Sequence, residues 1–229
     1  MIEKILDQVE AEIADNKQKT DIFRKLRTQF ATEIQEFELV SGRLPDPKFK
    51  IKAIWVLSGS GSYLKPLLEV ERDRLFEGTD RMRLDYAKEC INSSLEKPAL
   101  IYNGTSEQIK DLESALQTGE YKLSIDQVKI IGGEIHRTLD QVKQFSYPAD
   151  VSVSEGDYLG VLSHAAHLPR VLRMMNAHKE KFKAVKILPL SLKLQIPSDE
   201  DEFIKRELLG IIDYILKNEA TIEPYGTHD

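Results

Sequence analysis

Apolar residues recur at steps of three and four through the first forty positions: Ile5, Leu6, Val9 and Ile13, then Phe23, Leu26, Phe30, Ile34 and Phe37. That period gives one apolar face to each of two helices, predicted over residues 2–15 and 21–39. The polar run 15–20 separates them, with Thr20 or Asp21 placed to cap the second. Pro45 and Pro47 then disfavour helix at Leu44 and Asp46, so a new unit begins there.

After this break the pattern changes to five short apolar runs, at residues 53–57, 99–102, 128–131, 159–162 and 187–190. Most are continuous rather than alternating, as in strands buried on both faces, and helical patterns fill the intervals. Ile109, Leu112 and Leu116 mark one such helix, and Leu168, Val171, Leu172 and Met175 another. A last helix, near residues 199–217, carries Phe203, Leu208, Leu209 and Ile212, with its apolar face expected against the sheet. The pattern predicts an α/β fold: a Rossmann-like three-layer αβα sandwich on a mostly parallel five-stranded sheet, with an N-terminal helical extension. The expected division is an extension over 1–44, a domain over 45–219 and a frayed tail over 220–229.

Composition narrows the function. With 41% of its 229 residues hydrophobic, the chain can bury a core without disulfides or metals. Cys90 stands alone in a helical stretch, which excludes an intrachain disulfide and reads as an inert buried thiol. Thirty-two Lys and Arg against 38 Asp and Glu leave a charge of -6, the wrong sign for a nucleic-acid binder. No run approaches the roughly 18 apolar residues of a membrane span, and the N-terminus lacks a secretory signal's basic start, so a cytoplasmic protein is expected.

In such sheets ligands bind outside the carboxyl ends of the strands, which directs attention to the loops after each run. Ser58-Gly59-Ser60-Gly61-Ser62 can turn tightly and offer N–H and O–H donors to a phosphate or carboxylate, and can equally be a plain flexible turn. It matches neither the phosphate loop nor the dinucleotide fingerprint. Asn103, at the end of the second strand, can donate and accept towards a ligand, while Thr105 and Gln108 form a capping box. The third loop places Glu134 before a helix expected to start at Thr138, with Thr138 and Gln141 as a second box. There Glu134 is either solvated or a base aimed into the cleft. The fourth loop, Ser163-His164-Ala165-Ala166-His167-Leu168-Pro169-Arg170, gathers two imidazoles and a guanidinium before a helix whose first turn holds Pro169. It reads as a site for a negatively charged group. The pair of histidines at i and i+3 also invites a metal reading, but it lacks the spacing of a helical zinc pair, so no metal ligand is assigned, and both rings can also be structural.

As a set, Val56 to Gly61, Asp80-Arg81-Met82-Arg83, Glu134 with Thr138-x-x-Gln141, and Ser163-His164-x-x-His167-x-x-Arg170 resemble the YdcF-like family, which includes SanA and ElyC. The resemblance covers about residues 50–217. It implies a polar cleft lined by Ser60, Gly61, Arg83, Asn103, Thr138, Ser163 and Arg170 as ligand-binding residues and by Glu134, His164 and His167, which an enzymatic reading makes the catalytic candidates, Glu134 with one of the two histidines as acid and base. Asn103-Gly104-Thr105 stands where many relatives have Ser-Gly-Gly, and the N-terminal helices are not the membrane anchor that several carry.

Two functions follow as expectations. One is an enzyme, a hydrolase or group transferase, acting on a small anionic, phosphate- or nucleotide-containing molecule. The other is a non-catalytic module that binds a nucleotide or an S-adenosylmethionine-like cofactor. A methyltransferase fits less well, because Asn103 stands where an acid is expected. The N-terminal phenylalanine stripe packs either on the protein's own domain or in a homodimer interface, and residues 63–79 are expected to form a lid.

Overall fold

The computed structural model describes residues 2–59, 80–183, 185–192 and 200–226. The chain is α/β, with five parallel strands in one sheet ordered β3-β2-β1-β4-β5, as in a Rossmann-like three-layer sandwich. The strands are β1 (Ile51–Leu57), β2 (Ala99–Asn103), β3 (Val128–Ile130), β4 (Tyr158–His164) and β5 (Lys186–Leu192). All five coincide with the apolar runs. Seven α-helices occur among the described residues: α1 (Ile2–Ile13), α2 (Lys17–Val40), α3 (Arg81–Ser93), α4 (Ser106–Gln117), α5 (Thr138–Gln144), α6 (Leu168–Ala177) and α7 (Glu200–Leu216).

The molecule divides into two compact units. The α/β unit comprises Leu44–Ser163 and Lys183–Leu190, and the helical unit comprises Met1–Arg43, His164–Phe182 and Ser191–Asp229.

In the α/β unit, β1 pairs in parallel with β2 on one side and β4 on the other, with Val56 opposite Tyr102 and opposite Leu162. Residues 53–57 of β1 are fully buried, which explains the unbroken apolar run. Trp55 stacks against Phe145, ring centres 4.6 Å apart. Cys90 is fully buried, and burial is the main cause that pushes its thiol up to about 12. At neutral pH it is a small apolar side chain rather than a nucleophile.

In the helical unit, Ile5, Leu6, Val9 and Ile13 of α1 and Phe23, Leu26, Phe30 and Ile34 of α2 share one core with Ile204, Leu208, Ile211 and Ile212 of α7. Residues 1–43 share this unit with the later helices, and the apolar face of α7 meets other helices within it. The phenylalanine stripe is covered inside the chain, since Phe23 and Phe30 are fully buried. A buried ion pair crosses this unit: the Arg173 guanidinium donates to both Glu33 oxygens at 2.6 and 3.0 Å, to the Pro169 carbonyl and to the Ile222 carbonyl. Burial raises the Glu33 carboxyl above its ordinary value, and Arg173 opposes that rise.

Three local expectations need correction. The second helix starts at Lys17 instead of 21, because Asn16 caps it by accepting from the Lys19 N–H at 3.1 Å. Helix α5 does start at Thr138, but the Asp140 carboxylate caps it, accepting from the His136 and Arg137 N–H groups at 3.1 Å each. The expected Thr138–Gln141 box does not form, because Gln141 turns to Ser58 instead. The tail is pinned rather than frayed as far as residue 226: Tyr225 N–H donates to the Leu172 carbonyl at 2.9 Å, and Ala220 is buried.

Candidate functional site

At the carboxyl ends of β1 and β2, one hydrogen-bonded network fixes the first two residues of the glycine–serine loop. Asp80, just before α3, is buried and accepts from the Gly59 N–H at 2.7 Å, the Arg83 guanidinium at 2.8 Å and the Tyr102 hydroxyl at 2.7 Å. Three donors of different kinds thus converge on one carboxylate. Burial raises the Asp80 carboxyl, and Arg83, the Gly59 amide and Tyr102 pull it back. The Tyr102 hydroxyl is itself held far above its ordinary pKa by burial and then by Asp80, so it keeps the proton it donates.

The Gly59 carbonyl accepts from Gln108 Nε2 at 2.6 Å, while Gln108 Oε1 accepts from the Thr105 N–H at 2.8 Å in the expected capping box. Gln108 therefore both caps α4 and holds the loop. Glycine is required at 104, where a Cβ would lie 2.8 Å from both Gln108 Oε1 and the Tyr102 hydroxyl. Ser58 is held in the same way: its Oγ donates to the Asn103 carbonyl at 3.2 Å, and Gln141 Nε2 donates to the Ser58 carbonyl at 3.2 Å and to Ser58 Oγ at 2.6 Å.

The predicted ligand-binding residues fall into different situations. Asn103 is fully buried, with Oδ1 accepting from the Trp55 indole at 2.8 Å and Nδ2 donating to the Gln141 carbonyl at 3.0 Å. Its amide ties β1, β2 and α5 together. The Arg83 charge is met by the internal carboxylate of Asp80. Thr138 is half-buried at the start of α5, and Glu134 is exposed, its carbonyl accepting from Gln144 Nε2 at 2.8 Å. Ser60, Gly61 and the expected lid at 63–79 lie outside the described residues.

Among the described residues, two buried polar atoms at this edge have no partner: Gln141 Oε1 and Ser163 Oγ. The Gln141 amide cannot be turned round to hide its oxygen, because the Ser58 carbonyl can only accept and so fixes Nε2 towards it. Ser163 is fully buried at the end of β4, the strand beside β1. Buried hydroxyls and amides are normally satisfied, so each orphan needs a reason. Ser41 Oγ and Ser191 Oγ, also without partner, belong to the helical unit.

The helical unit holds the remaining candidates, His164, His167 and Arg170, all buried. Glu207 of α7 brings two of them together: its Oε2 lies 2.9 Å from His167 Nδ1 and 2.9 Å from Arg170 Nε. Arg170 Nη2 lies 3.1 Å from the same imidazole nitrogen. The His164 ring meets Phe203 edge-on at 6.1 Å between centres. Glu207 was not predicted, although the sequence carries a signal for it. It stands three residues after Ile204 and four before Ile211, where the apolar face of α7 predicts an apolar side chain. Asp80 is likewise signalled by its i,i+3 spacing from Arg83.

Among the described residues, no cluster of three or more His, Cys, Asp or Glu could hold a metal ion, and no helix is long and apolar enough to cross a membrane. No protein-family model, curated protein or solved structure matches the chain.

Proposed function

We propose that this chain is a YdcF-like protein that binds a small phosphate- or nucleotide-containing molecule at the carboxyl edge of its sheet and acts on it by hydrolysis or group transfer. The observation that carries the binding is the pair of orphaned buried atoms, Gln141 Oε1 and Ser163 Oγ. Both flank the end of β1, Gln141 through its bonds to Ser58 and Ser163 through the pairing of β4 with β1. The strand order reverses between β1 and β4, and open parallel sheets bind ligands at such a switch point.

The chemistry of these atoms specifies part of the ligand. An amide oxygen that can only accept asks for a hydroxyl or amino donor, and a serine hydroxyl can serve either way. A ribose or sugar hydroxyl meets both, while the Ser58 to Ser62 loop is the expected cradle for the phosphate. Because Asp80 neutralises Arg83, the buried ion pair supplies the loop with rigidity rather than net positive charge. Glu134 of the α/β unit and, separately, His164 and His167 of the helical unit remain the acid–base candidates that the sequence offers. A second reading, a non-catalytic module for a nucleotide or S-adenosylmethionine-like cofactor, is favoured by the neutrality of both orphaned groups.

A thermal-shift screen against nucleoside phosphates, sugar phosphates, inorganic phosphate and S-adenosylmethionine tests the proposal. The proposal expects a stabilising compound whose effect shrinks in Gln141→Met, and turnover of that compound that is lost in Glu134→Gln with binding kept. Stabilisation without turnover selects the second reading. A compound that stabilises wild type and Gln141→Met equally would place the ligand elsewhere.

A further inference from the structure

We infer that Glu207 is the positioning residue for His167, holding its proton on Nδ1 and leaving Nε2 as the nitrogen that gains and loses a proton. The inference rests on the enzymatic reading only for the use to which that proton is put.

Among the described residues, His167 Nδ1 has two close polar neighbours with opposite demands. Glu207 Oε2, at 2.9 Å, can only accept, and Arg170 Nη2, at 3.1 Å, can only donate. One nitrogen cannot satisfy both. If Nδ1 carried the lone pair, it would face a carboxylate oxygen across 2.9 Å with no proton between them, inside a site where Glu207 is fully buried. Two acceptors in contact away from water are strongly repulsive, because the low dielectric that strengthens a good hydrogen bond also strengthens a bad contact.

If Nδ1 carries the proton, the contact with Glu207 becomes a charge-assisted hydrogen bond. Arg170 then gives up its contact with the ring nitrogen and keeps its ion pair, with Nε 2.9 Å from the same Glu207 oxygen. The balance favours Nδ1–H whether the ring is neutral or an imidazolium. In the neutral ring the lone pair then lies on Nε2, which is how a carboxylate fixes the working tautomer of a histidine.

The arrangement also explains a costly choice. A carboxylate on the apolar face of α7 loses hydration, and a purely structural helix contact would be served as well by an apolar residue of similar volume. Arg170 supplies the compensating charge, its Nε 2.9 Å from the carboxylate. Gly210, one turn further along α7, leaves room for that guanidinium, since a Cβ there would lie 2.9 Å from Arg170 Nη1.

The test is nitrogen-15 NMR of the histidine side chains in the full-length protein, with the His167 signal assigned by its loss in His167→Gln. The wild type is expected to show a protonated, pyrrole-type Nδ1 and a pyridine-type Nε2 at the alkaline end of the titration. In the double variant Glu207→Met with Arg170→Met, which removes both charges together and keeps apolar volume, the ring should shift towards the Nε2–H tautomer. A wild-type ring protonated on Nε2 would overturn the inference, as would an unchanged Nδ1–H tautomer in the folded double variant. If the double variant does not fold, the wild-type tautomer still decides. None of these readings depends on the ligand screen, so failure of the proposed function and failure of this inference are separate results.

Discussion

Burying a carboxylate raises its pKa, and a paired guanidinium lowers it; at Glu33 both act, and burial prevails. A carboxyl raised in the folded state contributes stability that is fully present below its unfolded pKa and is lost as pH rises through its folded value. Wild type should therefore lose stability relative to Glu33→Gln as pH rises from about 4 towards 7, measured by urea unfolding. A difference that moves the other way would show that Arg173 outweighs burial. Replacing Arg173 by Met should cost about 3–5 kcal/mol, because Glu33 is left buried without its cation, and Glu33→Met in addition should recover most of the loss. A double variant no better than the single one would contradict the pairing. Cys90, with its thiol pushed up to about 12, should resist thiol reagents in the native protein at pH 8 and react on unfolding. Rapid native labelling would refute its burial.

At the scale of elements, α1 and α2 supply much of the core that covers α7, so deleting residues 1–43 should abolish cooperative folding of the helical unit. A truncated chain with a sharp thermal transition and native helix content would contradict this. The cap of α5 offers a finer test: Asp140→Ala should cost about 1 kcal/mol in chemical denaturation. No change would mean that the N–H groups of His136 and Arg137 need no carboxylate. The strands were legible in the sequence because a parallel sheet covered on both faces demands continuous apolar runs such as residues 53–57. Caps were less legible. Thr105 and Gln108 formed their box, whereas Gln141, with the same spacing from Thr138, found Ser58 across the fold, and a local motif lost to a distant partner. The apolar stripes of α1, α2 and α7 showed which faces are buried but not that they meet one another, since periodicity carries no address.

For the molecule as a whole, the strand order places the end of β1, followed by Ser58 and Gly59, at the switch point of the sheet, one of the five strand ends to which the sequence pattern directed attention. The composition of the site was only partly legible. Ser163 was named through the family resemblance, and the structure leaves its hydroxyl buried and without partner among the described residues. Asn103, chosen for its place at a strand end, is instead consumed by Trp55 and Gln141. Asp80, quoted only as part of the segment before Arg83, was given no role, and Glu207 was not singled out, because each works by neutralising a cation that the sequence offers as an anion binder. The most direct test of the proposed ligand edge is Ser163→Ala, measured for thermal stability alone and for affinity towards the compound that stabilises wild type. Removing an unsatisfied buried hydroxyl should leave Tm unchanged or slightly higher, while loss of a ligand hydrogen bond of about 1 kcal/mol weakens Kd roughly fivefold. A lower Tm with unchanged affinity would make Ser163 a structural residue and contradict the assignment of the carboxyl edge as the binding site.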